Sequence, residues 1–97
     1  MPKYFIQRNI PGVGAQTVEQ RAYAAGKSNE ALAQIGAGIQ WQYTHITTDV
    51  GFCCYIADNE ELLWEHSRLS GFPITTIYDV KFLMDPTTAV LGLNPGI

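Results

Sequence analysis

The stretch IQWQYTHIT at Ile39–Thr47, followed after a short polar break by FCCYIA at Phe52–Ala57, decides the fold. Both segments are rich in β-branched and aromatic residues, and neither contains proline. Turn-forming residues occur only at the break around Thr48 and Asp49, and this pattern is typical of a β-hairpin. The sequence therefore predicts two antiparallel strands in the middle of the chain.

Both faces of this predicted hairpin are at least half apolar. We expect a register that places His45 opposite Cys54, so that alternation puts both of them and Trp41 on one face. Cys53 and Tyr55 then lie on the other face. A sheet with two apolar faces is typically covered by other structure on both of them. We therefore expect helices on one face and a second copy of the chain on the other.

The flanking segments supply two helices and two further strands. Val18 starts a helical spacing after a capping box at Thr17, and Asp58 is expected to cap a second helix that ends at Gly71. Strands are predicted at residues 3–8 and 76–84.

The predicted order is βαββαβ, which indicates an α+β, ferredoxin-like fold with an antiparallel sheet and two helices on one face. We expect residues 1–89 to form a single domain and residues 90–97 to form a C-terminal tail. The apolar second face predicts a homodimer, in the form of a dimeric α/β-barrel.

Composition excludes several classes of protein. With 97 residues, 46% of them hydrophobic and 15% charged, the chain is typical of one globular domain. The net charge of −3 and the lack of a basic stripe argue against nucleic-acid binding. The sequence has neither an apolar run of about 20 residues nor a signal-peptide core, so we expect a cytoplasmic protein without a membrane segment.

The residues that are able to carry chemistry are few: His45, His66, Cys53, Cys54 and Tyr55. Motifs of hydrolytic nucleophiles and of structural zinc sites are absent from the sequence. In the expected register, the imidazole of His45 and the thiol of Cys54 form a cross-strand pair. Such a pair suits nickel, copper or zinc, with a third ligand from His66, Asp49 or a partner chain.

Plainer interpretations of the same residues stay open. His45 also fits a half-buried histidine on an aromatic strand, and His66 fits an amphipathic helix. The adjacent cysteines fit two buried, reduced thiols. A catalytic pair of Cys53 and His66 is a further alternative, in which the histidine lowers the pKa of the thiol.

Several short motifs resemble a family of small bacterial proteins, mostly of unknown function, of which at least one member is described as nickel-binding. The resemblance covers residues 1–89, and its motifs recur in the same order. They are Met1-Pro2-Lys3-Tyr4, Pro11-Gly12, Ile39-Gln40-Trp41, Cys53-x-Tyr55-x-Ala57, Glu65-His66, Gly71-Phe72-Pro73 and Asp85-Pro86-Thr87.

The resemblance implies a ferredoxin-like domain that dimerises through its sheet. Cys53, Tyr55 and His66 match the family pattern, whereas His45 stands where a tyrosine is expected and Ile56 where an acid is frequent. If that acid binds metal in relatives, His45 is the residue here that could replace it.

Three functions follow as hypotheses. The first is a cytoplasmic homodimer that binds a divalent metal ion, nickel by family resemblance, through His45, Cys53 and His66. The second is a small dimeric enzyme that uses His66 as acid or base on an organic substrate, since a histidine titrates near neutral pH. The third is a structural or partner-binding dimer without catalysis.

Overall fold

The structure is a computed structural model and describes residues 1–92. Its elements are β1 (Lys3–Asn9), a 3-10 turn (Val13–Ala15), α1 (Val18–Ile35), β2 (Ile39–Ile46), β3 (Val50–Ala57), α2 (Glu60–Ser70), β4 (Thr76–Val80) and α3 (Thr88–Gly92). As far as β4, the predicted order of main strands and helices is confirmed. The fold is therefore α+β.

The four strands form one sheet in the order β2-β3-β1-β4, and every neighbouring pair is antiparallel. The buried cluster consists of alternate strand residues and one residue of α2: Tyr4, Ile6, Ile39, Cys53, Tyr55, Ala57 and Leu63. Leu32 and Ile35 of α1 and Leu62 of α2 pack against this cluster. Both helices therefore cover the same side of the sheet, which we call the helix face.

The other side of the sheet is covered by neither α1 nor α2, and we call it the open face. Strand alternation and the observed pairing assign its residues. They include Phe5, Tyr43, His45, Phe52, Cys54, Ile56 and Tyr78.

The predicted hairpin exists, but its register was wrong. His45 lies opposite Phe52, and Cys54 lies opposite Tyr43. The reason is the turn: the backbone N–H of Thr47 donates to the carbonyl of Val50 at 2.8 Å, so the strand resumes at Val50 rather than at Phe52. This tighter turn shifts the pairing by two residues, which keeps His45 and Cys54 on one face but removes them from direct opposition.

A β-bulge between Trp41 and Tyr43 corrects a second expectation. Beyond the bulge, Trp41 pairs with Tyr55 of the helix face, so its indole lies on that face and not beside His45. One extra residue in a strand reverses the alternation for everything beyond it, which period-two patterns do not reveal.

Two predicted boundaries also differ. Asn59, not Asp58, caps α2, because its side-chain oxygen accepts the N–H of Leu62 at 3.1 Å. The last strand ends at Val80 instead of Met84, since Val80 already pairs with Lys3 at the start of β1. Before Lys3, Pro2 has no N–H to extend the ladder.

The loop after β1 packs on the hairpin turn. The carboxylate of Asp49 accepts the N–H of Gly12 at 2.8 Å, and the N–H of Gly14 donates to the carbonyl of Thr48 at 2.9 Å. A Cβ on Gly14 would lie 2.5 Å from the carbonyl oxygen of Thr47, so this approach requires glycine. The carboxylate of Asp49, which was a candidate third metal ligand, is thus hydrogen-bonded to this loop.

The tail predicted at residues 90–97 begins within α3, and residues 93–97 lie outside the described part. Among residues 1–92, no helix has the length and apolar character required to cross a membrane.

Candidate functional site

A cavity of about 400 Å³ lies between the helix face of the sheet, α1 and the loop that follows α2. We call it the helix-side cavity. Its lining is Arg8, Ile10, Val13, Gln16, Arg21, Ala24, Ala25, Ser28, Trp41, Thr44, Ile46, Gly51, Cys53, Tyr55, Gly71, Phe72 and Pro73. A more open hollow of about 630 Å³ along α1 shares part of this wall.

Of the described residues that line this cavity, Arg8 supplies a buried guanidinium, with 4% of the residue exposed. Its Nη1 donates to the carbonyls of Phe72 and Pro73 at 3.1 and 2.9 Å, and its Nη2 donates to the Tyr55 hydroxyl at 3.4 Å. The ion pairs in the described part of the chain join other residues, Arg68 to Glu65 and Lys81 to Asp79. Neutral carbonyl and hydroxyl oxygens thus solvate the buried guanidinium of Arg8, and no carboxylate within residues 1–92 neutralises its charge.

Next to the cavity wall, the side chains of Tyr55, Ser28 and His66 form a polar cluster that extends into the core. The Ser28 hydroxyl lies 3.0 Å from Nε2 of His66, and the ring of His66 lies 5.4 Å from the ring of Tyr55. Burial raises the pKa of the Tyr55 hydroxyl, against the opposing effect of Arg8. Tyr55 therefore keeps its proton at neutral pH.

His66 is buried, with 1% of the residue exposed, and its ring is neutral at physiological pH. Burial first, and then the positive charge of Arg8, lower its pKa to about 4. Its Nδ1 has no hydrogen-bond partner within residues 1–92. His66 is not among the residues that line the helix-side cavity. Ser28 and Tyr55 line it instead, and both of them contact the His66 ring.

Cys53 lines the same cavity from β3 and is held by its neighbours on β2. The Thr44 hydroxyl donates to Sγ of Cys53 at 3.1 Å, and Nε1 of Trp41 donates to the Thr44 hydroxyl at 2.8 Å. This arrangement orients the indole and the thiol together.

His45 lies on the opposite side of the sheet, exposed on the open face. Its ring packs against the ring of Tyr43 with centroids 5.1 Å apart. The neighbouring Cys54 raises the pKa of the Tyr43 hydroxyl.

The structure therefore does not assemble the expected ligands His45, Cys53 and His66 within one chain, because the sheet separates His45 from the other two. Within residues 1–92, no group of three or more His, Cys, Asp and Glu side chains is placed to hold a metal ion. A metal site that uses all three residues does not fit a single copy of this chain.

Sequence reasoning missed Arg8 and Ser28. A signal for Arg8 was present in β1, where Tyr4, Ile6 and Arg8 alternate at the strand period and all three are buried. An arginine in step with core residues indicates an inward cation. Ser28 gave no such signal, since a serine in mid-helix is usually exposed.

These features describe a small α+β protein with a polar cavity on one face of its sheet and an apolar open face on the other. The chain belongs to the nickel responsive protein SCO4226-like family, which matches residues 4–80. The resemblance to a family with a nickel connection is thereby confirmed.

The fold has a counterpart among solved structures. The crystal structure of SCO4226 from Streptomyces coelicolor A3(2) is similar to this chain, with a TM-score of 0.70 and 10% sequence identity, over 84% of this chain and 99% of that chain. At this identity the similarity shows the fold alone. No curated protein matches the chain.

Proposed function

We propose that this protein is a cytoplasmic homodimer of ferredoxin-like domains that binds a divalent metal ion, nickel first, with His45 as a ligand from each copy. The observation that carries the proposal is the open face, which is apolar and presents an exposed imidazole.

The apolar character of the open face supports the dimer. Phe5 and Phe52 stack with ring centroids 6.0 Å apart, and Tyr43 and Tyr78 are 47% and 53% exposed beside them. Burial of an aromatic side chain of this kind stabilises an interface by roughly 1.5–3 kcal/mol. A second copy of the sheet supplies a matching apolar surface.

The segment after β4 adds to this surface. Phe82, Leu83 and Met84 follow one another and are 75%, 77% and 70% exposed. Three consecutive large apolar residues in water are uncommon on a monomer and are typical of a contact surface. We infer that these three residues contact the second copy.

A dimer would also supply ligands from two copies, which matters because residues 1–92 of one copy place no set of three ligands together. A two-fold interface brings a surface patch into contact with its own copy, so each His45 can meet the partner's His45 near the axis. Imidazole nitrogen is a good ligand for nickel. The family description supports nickel as the first ion to test.

The cytoplasmic location is supported by the thiols. Cys53 and Cys54 are both free and buried, and such thiols persist in a reducing compartment.

The enzyme alternative has less support. A cavity exists, but His66 does not line it, and its pKa of about 4 means that the imidazolium form, which a general acid requires, is scarce at neutral pH. Its Nε2 is occupied by Ser28, and Cys53 is paired with Thr44, so a Cys53–His66 catalytic pair is not formed in this arrangement.

Native mass spectrometry with and without nickel chloride tests the proposal. We expect a dimer that gains nickel in a fixed ratio and loses at least tenfold in nickel affinity in His45→Ala. Gln40→Ala is the matched control, because Gln40 is exposed on the same strand and face.

Two results would contradict parts of the proposal separately. A dimer whose nickel uptake is the same in His45→Ala and Gln40→Ala would exclude His45 as a ligand. A dimer that takes up no nickel would leave the structural, partner-binding dimer as the better interpretation.

A further inference from the structure

We propose that the helix-side cavity binds a small organic carboxylate, with the carboxylate on the guanidinium of Arg8 and an apolar body against Val13, Trp41 and Phe72. This site is on the other side of the sheet from His45. It depends on neither the dimer nor the metal of the proposed function.

The burial of Arg8 is the first argument. A charged group removed from water is costly unless a counter-charge or good hydrogen bonds compensate it. Here, carbonyl and hydroxyl oxygens accept from Arg8, and no ion pair to it occurs in the part of the chain that the structure describes. These neutral oxygens solvate the guanidinium but leave its positive charge without a counter-charge, so the cavity beside Arg8 favours an anion.

The geometry of the guanidinium is the second argument. An arginine carries five N–H donors in a planar fork. Two donors of Nη1 and one of Nη2 have partners in the protein, while Nε–H and the second Nη2–H have none among the described residues. These two donors lie on neighbouring nitrogens, which is the arrangement that binds a carboxylate through both oxygens.

The charge of the lining is the third argument. Although the chain has more acidic than basic residues, with a net charge of −3, none of the described residues that line the helix-side cavity is acidic. Two arginines line it, Arg8 at depth and the exposed Arg21 toward solvent. A cavity with cations alone attracts anions and repels cations.

The remaining wall sets the size and character of the ligand. Apolar side chains make up much of it, including Val13, Trp41 and Phe72. The volume of about 400 Å³ lies toward the lower end of ligand pockets, which span roughly 300–1,000 Å³. Thr44 and Ser28 add hydroxyl groups. A compact organic anion matches this wall better than a bare inorganic ion does.

The test is a titration followed by ¹H–¹⁵N NMR of the full chain. Benzoate is the anionic probe, benzamide its neutral counterpart, and inorganic phosphate the anion without an apolar body. Trp41 lines the cavity and Trp64 is 53% exposed on α2, so their two indole N–H signals give a reporter and an internal reference.

We expect benzoate to shift the Trp41 signal in a saturable way and to leave the Trp64 signal in place. Benzamide and phosphate should bind at least tenfold more weakly. Arg8→Gln should weaken benzoate binding at least tenfold, whereas Arg68→Gln, which removes an exposed arginine paired with Glu65, should not.

Ala25→Leu keeps the test decisive if Arg8→Gln does not fold. This change fills the cavity from α1 without touching the hydrogen bonds of Arg8, and it should abolish the Trp41 shift. Equal binding of benzoate and benzamide, equal binding of benzoate and phosphate, or an unmoved Trp41 signal would each overturn the proposal.

Discussion

The two faces of the sheet have the opposite polarity to the one that their burial predicts. The helix face is buried, yet the layer between it and the helices contains the polar groups Arg8, Ser28 and His66, which are all at most 4% exposed. The open face is in contact with solvent, yet it presents aromatic side chains such as Tyr43 and Tyr78, about half exposed. A monomer in water favours the reverse distribution.

This contrast separates two tasks. Under the helices, the polar side chains of Arg8 and Ser28 line a cavity, which is the arrangement of a binding site. Apolar groups on the open face have no covering element in residues 1–92, which is the arrangement of an assembly surface. Cys53 and Cys54 mark the division, because these neighbours in sequence lie on opposite faces.

The largest effect should come from a charge on the open face. Phe52→Lys removes an aromatic ring and adds an ammonium group on both sides of a two-fold interface. We expect the dimer dissociation constant to rise at least ~1,000-fold, measured by analytical ultracentrifugation over a dilution series. Tyr23→Lys is the matched control, because Tyr23 is a 70% exposed aromatic residue on α1. If both variants, or neither, changed the association, the open face would not be the interface.

A change in the helix-face core should act on folding instead of on association. Leu63→Ala removes a side chain that is fully buried in the main cluster, and we expect a loss of about 3 kcal/mol in the free energy of unfolding. The next residue supplies the comparison: Trp64 is 53% exposed, and Trp64→Ala should change stability by less than about 1 kcal/mol. Urea unfolding at one fixed protein concentration measures both. Similar losses for the two variants would contradict the assignment of the buried side of α2.

The smallest of these effects is a dependence of stability on pH through His66. The folded protein keeps this imidazole neutral down to about pH 4, whereas in the unfolded chain it takes up a proton near pH 6.5. The unfolded state therefore binds more protons between these values, and stability falls as the pH drops from 6.5 to 4. We expect a loss on the order of 2 kcal/mol that is absent in His66→Gln.

His45→Gln serves as the control for the pH experiment, since it replaces the exposed histidine of the open face. This variant should keep the pH dependence of the original protein. Urea unfolding at several pH values gives the comparison. A slope that disappears in His45→Gln and persists in His66→Gln would reverse the roles of the two faces.

Much of the fold followed from local patterns in the sequence. The hairpin, the two helices and the capping box at Thr17 were predictable, because strand alternation, helical spacing and caps are local properties. The register was not, since it depends on whether the turn closes at Val50 or later. The bulge near Trp41 was equally hidden, because it shows only against the partner strand.

The candidate site was harder to predict than the fold. His45, Cys53 and His66 were chosen by residue type, and the face of each side chain depended on helix placement that a single sequence does not give. Arg8 provides the buried positive charge of the helix-side cavity, yet an arginine is usually exposed, so the residue type alone did not indicate this role. Only its position in step with Tyr4 and Ile6 indicated that it points inward.

The central claim is that a second copy covers the open face while the helix face keeps its own cavity. Isotope-filtered NOE spectroscopy on a mixture of labelled and unlabelled chains tests it most directly. We predict intermolecular NOEs at Phe5, Phe52 and Ile56 of the open face, and none at Tyr23 or Trp64 on the helices. Intermolecular NOEs confined to the helices, or no intermolecular NOEs at all, would contradict the account.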